Sequence, residues 1–265
     1  MGNLPCAVAE EAKSMGYRVV AIALKPPADD SLKGVADEFH KISIGRFGGL
    51  LSLLKKCSIR DVVLAGKVPK SLLYKNKVNI IPDLKTLKML FSLKDRSDDT
   101  IMDTVVRELE KNGIRIHNTT DFTKNLLAPA GVLTGKEPAK TEIDDIEFGW
   151  KIAKKIGRLD IGQTIVVKNR AVMAVEAIEG SDEAIKRGAN LAKGDAVVIK
   201  VSKPQQDMRF DVPAVGLDTL STMKKASASV LALEAGKCII IEKEKFLKEA
   251  DRSAIAVIGM KGDEL

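Results

Sequence analysis

Along the chain, stretches with apolar residues at helical spacing alternate with short blocks that are apolar almost throughout. Leu4 to Met15 has the helical spacing, with Pro5 in its first turn and Gly16 as a stop, and predicts a helix. Tyr17 to Leu24 is nearly continuous in apolar side chains, as a strand covered on both faces must be. His40 to Ile44 predicts a second strand, Phe47 to Lys56 a second helix, and Asp61 to Ala65 a third strand ending at Gly66. Thr100 to Lys111 predicts an amphipathic helix stopped by Gly113, followed by a strand over Ile114 to Ile116. Strands and helices in this order, joined by short loops, predict a parallel, Rossmann-like sheet.

Leu127 to Thr141 concentrates Pro, Gly and small residues and predicts an interdomain linker. The division expected is an N-terminal nucleotide-binding domain over 1–130, a linker over 131–141 and a C-terminal α/β domain over 142–265. In the second half, Gln163 to Ile178 predicts two strands joined by a tight turn at Asn169-Arg170. Ser181 is placed as the N-cap of a helix running to Ala192, with Asp182 and Glu183 in its first turn. Strands are expected at Asp195 to Val201, Val230 to Leu233, Cys238 to Glu242 and Ile255 to Ile258, with helices at Leu217 to Lys225 and Lys243 to Ala250. The fold class predicted for both halves is α/β.

Composition narrows this picture without changing it. Of 265 residues, 45% are hydrophobic and 30% charged, the balance of a globular chain, so disorder is excluded as the main state. Aromatics are only 4%, so the core must be built from Leu, Ile, Val and Ala. The net charge of +7 fits an anionic ligand, a nucleic acid or an anionic membrane surface, without choosing among them. Cys6, Cys57 and Cys238 offer neither a disulfide framework nor a metal-binding spacing, so a reducing cytoplasm is expected. No apolar stretch is long enough to span a bilayer and no secretory signal opens the chain, so the expectation is a soluble intracellular protein.

Four stretches are candidates for chemistry. Gly2 and Asn3 sit where the first helix begins, so free amide N–H groups there could face a diphosphate; a frayed terminus is the competing reading. Lys67 follows a strand end, where open α/β sheets bind ligands, and is either a phosphate-neutralising or a solvated lysine. Glu176 to Asp182 crowds carboxylates at a strand-to-helix junction, including Glu179 and Asp182 around Gly180 and Ser181. Such crowding calls for a cation, or else Asp182 merely supports the helix dipole. Lys200, Lys203, Asp207, Arg209 and Asp211 follow a buried strand with Pro204 and Pro213 among them, which suits either a site for a divalent metal and a phosphate or a charged surface loop. Neither His40 nor His117 has another ligand candidate expected nearby, which argues against a histidine-based zinc site. No nucleophile-elbow signature accompanies the serines, and no complete Gly-x-Gly-x-x-Gly follows a strand.

Asp160 to Gly188 (DIGQTIVVKNRAVMAVEAIEGSDEAIKRG), Val197 to Leu220 (VVIKVSKPQQDMRFDVPAVGLDTL) and Leu231 to Glu242 (LALEAGKCIIIE) resemble the LpxI-type UDP-2,3-diacylglucosamine pyrophosphatases of lipid A biosynthesis. The resemblance covers nearly the whole chain. It implies an N-terminal Rossmann-like domain, a C-terminal catalytic and lipid-binding domain, and Mg²⁺-dependent cleavage of the diphosphate to UMP and 2,3-diacylglucosamine 1-phosphate. Members of that family begin with a strand that enters a Gly-x-Gly/Asn-x-Leu-Pro-like turn, whereas this chain starts at Met1 inside that turn. The N-terminal sheet is therefore expected to lack its first strand. Where the family pattern has Glu-Gly-Thr-Asp, the chain carries Glu179-Gly180-Ser181-Asp182, and Ser keeps the hydroxyl.

By this resemblance Asp211 matches the family's Asp in an Arg-hydrophobic-Asp-hydrophobic-Pro motif to which catalysis is attributed. The expected catalytic set is Asp211, Asp207, Lys200, Lys203 and Arg209. The expected substrate contacts are Gly2, Asn3, Lys67, Glu179, Gly180, Ser181 and Asp182, with Asp211 and Glu179 as Mg²⁺ ligands. The implied partner is a lipid-nucleotide substrate rather than a nucleic acid. The absence of a membrane span, the two acyl chains of that substrate and the +7 charge suit uptake by peripheral contact with the cytoplasmic face of an anionic membrane. A freely soluble enzyme fed by monomeric or micellar substrate is the competing reading. A homo-oligomer is compatible with the resemblance. The competing function is a non-catalytic protein that senses a UDP-sugar or lipid-linked nucleotide, and release of UMP separates the two.

Overall fold

Leu4–Ser14 forms helix α1, which buries Ala7, Val8 and Ala9. Strand β1 (Val20–Lys25) pairs in parallel with β2 (Glu38–Ser43), in the register Val20 to Glu38. Helix α2 (Phe47–Lys56) buries Phe47, Leu51 and Leu54, a stripe at the i, i+4, i+7 spacing of one helix face. Strand β3 (Asp61–Val63) pairs in parallel with β4 (Arg115–His117). Helix α3 (Leu84–Ser92) was not foreseen from the apolar pattern. Its N-cap Asp83 accepts a 2.8 Å bond from the N–H of Thr86, and its other oxygen accepts the N–H of Gly48 at 2.8 Å, so one carboxylate serves the first turns of two helices. Helix α4 (Asp98–Lys111) and the single turn α5 (Thr119–Phe122) follow among the described residues of this half. The computed structural model describes residues 4–25, 30–66, 81–93 and 98–262.

The chain divides into two units, Met1–Phe122 and Thr123–Leu265. The division thus falls before the segment read as a linker. Gly131–Val132, placed in that linker, is strand β5 and pairs antiparallel with the last strand of the second unit. Thr134 accepts the N–H of Val257 at 2.9 Å, and the N–H of Gly135 reaches the Asp251 carboxylate at 2.8 Å. Pro and Gly here shape a strand edge and its turns, a use of those residues that composition cannot tell from a linker.

After β5 come α6 (Lys140–Arg158), β6 (Thr164–Lys168), β7 (Ala171–Val175), α7 (Ser181–Ala192), β8 (Ala196–Lys200), β9 (Ala214–Val215) and α8 (Leu217–Lys225). Then follow β10 (Ala228–Glu234), β11 (Ile239–Ile240), α9 (Lys243–Arg252) and β12 (Ala256–Met260). Six strands form one sheet in the order β5-β12-β10-β8-β6-β7, with β12, β10 and β8 parallel and the remainder antiparallel. The β6–β7 hairpin turns at Asn169-Arg170 as expected, both with positive φ (51° and 56°), and the buried Asp145 carboxylate accepts both of their N–H groups.

Helix α6, the longest in the second unit, was also missed. It packs Ile146, Trp150 and Ala153 against one face of the sheet, onto Ile165, Val167, Val197, Ile199 and Val230. Helices α7, α8 and α9 place Ile185, Leu220, Met223 and Phe246 on the opposite face, onto Val166, Val198, Leu231 and Val257. The central strands β6, β8, β10 and β12 are therefore covered on both sides, which is why they read as nearly continuous apolar blocks. Close approach of helix to sheet depends on Gly188, where a Cβ would lie 2.5 Å from Val166 Cβ.

Candidate active site

The C-terminal ends of parallel strands are where open α/β sheets present ligand-binding groups. In the second unit, Lys200 ends β8 and Glu234 ends β10. Thr164 begins β6 directly across from Lys200, and Glu176 follows the end of β7, so all four stand along one edge of the sheet.

Two polar networks grow from this edge. In the first, the buried Lys200 ammonium donates to Ser181 Oγ at 2.8 Å, and Thr164 Oγ1 donates to the same oxygen at 3.1 Å. Ser181 Oγ in turn donates to Glu176 Oε1 at 2.9 Å. A buried cation and a buried carboxylate are thus bridged by one hydroxyl, which offsets part of the desolvation each suffers. This placement corrects the expectation for Ser181. The N-cap of α7 is Gly180, whose φ of 86° and ψ of 167° lie in a region essentially reserved for glycine, and Ser181 is the first helical residue. Its hydroxyl serves the network instead of capping the helix.

The second network shapes the loop from Val201 to Pro213. Glu234, 1% exposed, binds Lys154 at 2.8 Å, Lys237 at 2.9 Å and the backbone N–H of Ser202 at 2.8 Å. Burial pushes its carboxyl up, but the hydrogen bonds from the two lysines and Ser202 outweigh burial and hold it below its ordinary value. Gln206 Oε1 accepts both the Ser202 hydroxyl and the Lys203 N–H, while its amide donates to Gln163 Oε1 at 3.2 Å. Sequence reasoning missed Glu234, Lys154, Gln163 and Gln206. A charged residue closing the apolar run Val230 to Leu233 was the one local signal for them.

Within that loop the expected catalytic residues separate. The Asp207 carboxylate accepts Arg209 Nε at 3.0 Å from both of its oxygens and Arg209 Nη2 at 2.6 Å on Oδ2, and Oδ1 also accepts the Arg209 N–H at 2.9 Å. The Arg209 guanidinium holds the Asp207 carboxyl below its ordinary range. Arg209 and Asp207, expected separately as a phosphate cation and a catalytic carboxylate, are thus bonded to one another. Asp211 differs. Its backbone N–H is bonded to Asp207 O at 2.9 Å, its side chain is 36% exposed, and Lys203 Nζ lies 3.9 Å from Oδ2. Lys203 makes its closer contact with Asp160, at 2.6 Å.

Glu179 lies apart from this pair's chemistry. One of its oxygens accepts Arg187 at 2.7 Å and the other the N–H of Ala177 at 3.2 Å. Its own backbone N–H and Arg187 hold its carboxyl below the ordinary value. Among the described residues, neither Glu179 nor Asp211 falls in a cluster of three metal-ligating side chains. Asp182 lies in the first turn of α7. Gly2, Asn3 and Lys67 lie outside the described residues. The reading of the histidines also needs correction: His117 Nε2 is 2.8 Å from Asp61 Oδ1, and His40 lies beside Glu38 and Cys57. Both arrangements join residues that only the fold or a two-residue strand repeat brings together.

The Mg²⁺ implied by the sequence resemblance can be weighed against these groups. A hard divalent ion takes oxygen ligands and keeps several waters and substrate phosphates, so one or two protein carboxylates suffice. Asp211, half-buried and loosely paired, fits that demand; Asp207 and Glu179, with both oxygens engaged, do not.

Comparison with known proteins follows the same two-unit division. A model of the LpxI N-terminal domain matches residues 1–126 and a model of the LpxI C-terminal domain matches residues 129–258. The UDP-2,3-diacylglucosamine pyrophosphatase LpxI of Caulobacter vibrioides is 31% identical over 274 residues, covering 99% of this chain and 96% of that protein.

Proposed function

The chain belongs to the LpxI family in both of its halves, and from that premise we propose that it hydrolyses UDP-2,3-diacylglucosamine. Water adds across the diphosphate, one P–O bond breaks, and UMP and 2,3-diacylglucosamine 1-phosphate leave. The end-to-end similarity to the Caulobacter pyrophosphatase is the observation that carries this reading.

Asp211 is the group we place at the reacting phosphate, either holding Mg²⁺ or accepting a hydrogen bond from the attacking water. Bound there, Mg²⁺ would neutralise charge building on the phosphate oxygens. Lys203, beside Asp211, supplies positive charge to the same phosphates. Lys200 is the buried cation beneath them, held in place by Ser181 and, through it, by Glu176. The Arg209–Asp207 pair braces the turn that carries Asp211 rather than meeting substrate.

Two acyl chains require apolar surface. Leu159 and Ile161 flank Asp160, the partner of Lys203, and Ile178 precedes Glu179 and is 91% exposed. Among the described residues no helix is long and apolar enough to cross a membrane. The net charge of +7 supports peripheral contact with anionic lipid, at about 1 kcal/mol per well-placed Lys or Arg.

The deciding assay is release of UMP from UDP-2,3-diacylglucosamine by the purified chain, with and without Mg²⁺. Turnover that rises with Mg²⁺ is expected, whereas binding without UMP release would leave a sensor in place of the hydrolase. Presented with anionic vesicles, the protein should sediment with them at low salt and less so at physiological salt. No sedimentation at either salt would remove the membrane part of the reading.

A further inference from the structure

Outside the candidate active site, the first unit gathers three side chains of a different chemistry. Glu38 and His40 are two residues apart on β2, so both leave the same face of the strand. Cys57 is the C-cap of α2, where the partial negative charge of the helix end favours a cation. The three meet: His40 Nε2 is 3.3 Å from Glu38 Oε2 and 3.7 Å from Cys57 Sγ. One ligand atom from each of the three lies within 4.8 Å of the other two, and all three residues are half-buried.

These separations have a specific meaning. A tetrahedral zinc ion with bonds of about 2.3 Å to sulfur and about 2.0–2.1 Å to nitrogen and oxygen sets its ligands at fixed spacings. Nitrogen and oxygen then stand about 3.3 Å apart, and nitrogen and sulfur about 3.6 Å. The distances from His40 match both spacings to within about 0.2 Å. The donor set is also of the right kind, since imidazole, thiolate and a single carboxylate oxygen together suit a borderline-soft metal and not Mg²⁺. Arg18 takes the other oxygen, Glu38 Oε1, which leaves Oε2 as a single donor turned to His40.

We propose that Glu38, His40 and Cys57 form a Zn²⁺ site, with water in the fourth position. Binding releases the Cys57 thiol proton to solvent and fastens β2 to the end of α2. The other two cysteines provide controls. Cys238 is fully buried in the second unit, with burial pushing its thiol up to about 12, and Cys6 lies in α1.

The test uses the full chain, reduced with a phosphine and stripped with a chelator, then titrated with Co²⁺ as a spectroscopic stand-in. A thiolate-to-cobalt charge-transfer band and tetrahedral visible bands should saturate at one equivalent, and Zn²⁺ should displace them while excess Mg²⁺ does not. Cys57→Ser should abolish the charge-transfer band. Cys57→Ser and His40→Gln should each weaken Zn²⁺ at least about tenfold, the loss that even an outer-shell change can cause. Cys6→Ser should behave as the parent. Zn²⁺ should also raise the thermal midpoint of the parent and of Cys6→Ser, but not of Cys57→Ser. A parent chain without the band, a band that survives Cys57→Ser, or one lost in Cys6→Ser would each overturn the site.

Discussion

At the scale of single residues, the loop from Val201 to Pro213 separates two aspartates that the sequence presents as equals. Asp207 spends both oxygens on Arg209, whereas Asp211 offers a half-buried carboxylate with Lys203 Nζ 3.9 Å away. Asp211→Ala should therefore lower UMP release by a factor of about 10² or more, as loss of a positioned acid–base group or metal ligand does, while the thermal midpoint stays near the parent's. Asp207→Asn should act differently, by loosening the turn: its thermal midpoint falls and KM changes more than kcat. Glu179→Gln, which touches only an exposed Arg187 pair and a backbone N–H, should stay within about threefold of parent turnover, since exposed pairs contribute little. Near-normal turnover in Asp211→Ala, with loss in Glu179→Gln instead, would move the chemistry from the loop after β8 to the junction before α7.

At the scale of elements, Glu234 joins the end of β10 to α6 through Lys154 and to the loop after β8 through the Ser202 N–H. Removing its charge leaves Lys154 and Lys237 facing a neutral amide. Glu234→Gln should cost about 1–3 kcal/mol in chemical denaturation, because charge-assisted bonds to a buried group are lost while both lysines keep access to water. The pH dependence has a definite sign. The folded carboxyl lies below its ordinary 4.5, so its stabilisation is complete above about that pH and is lost as pH falls through the lower folded value. Denaturation midpoints measured from neutral pH into the acid range should fall for the parent, and fall less steeply for Glu234→Gln. Equal slopes would show that Glu234 is not the group that titrates.

At the scale of the whole molecule, the position of the boundary makes its own prediction. The second unit begins at Thr123, and β5 with Thr134 and Gly135 is bonded into its sheet. A fragment spanning 123–265 should give a cooperative unfolding transition, and one spanning 142–265, which leaves β12 with an open edge, should be less stable or aggregate. Neither should release UMP at the rate of the full chain, because LpxI domains match both halves. Equal stability of the two fragments would restore the linker reading of 131–141, and full turnover by 123–265 would make the first unit dispensable for catalysis.

The sequence by itself determined those features whose cause lies within a few residues. Helix α2 was legible in the spacing of Phe47, Leu51 and Leu54, and the β6–β7 hairpin in Asn169-Arg170 between apolar runs. The apolar run Ala196 to Ile199 of β8 declared a strand covered on both faces. The chain of residues from Lys200 to Asp211 also announced a polar site, and the long ordered matches identified its family. Local reading failed where one composition serves two structures. Pro129, Gly131 and Gly135 look the same in a linker as at a strand edge, and the charged surface of α6 hid the stripe of Ile146, Trp150 and Ala153. Only the tertiary structure decided which polar groups meet. Glu234 and Lys154 are 80 residues apart, Lys200 and Ser181 are 19 apart, and Cys57 reaches His40 across 17. Periodicity acts over one or two helical turns, whereas these contacts are set by strand order and register, which no local pattern encodes.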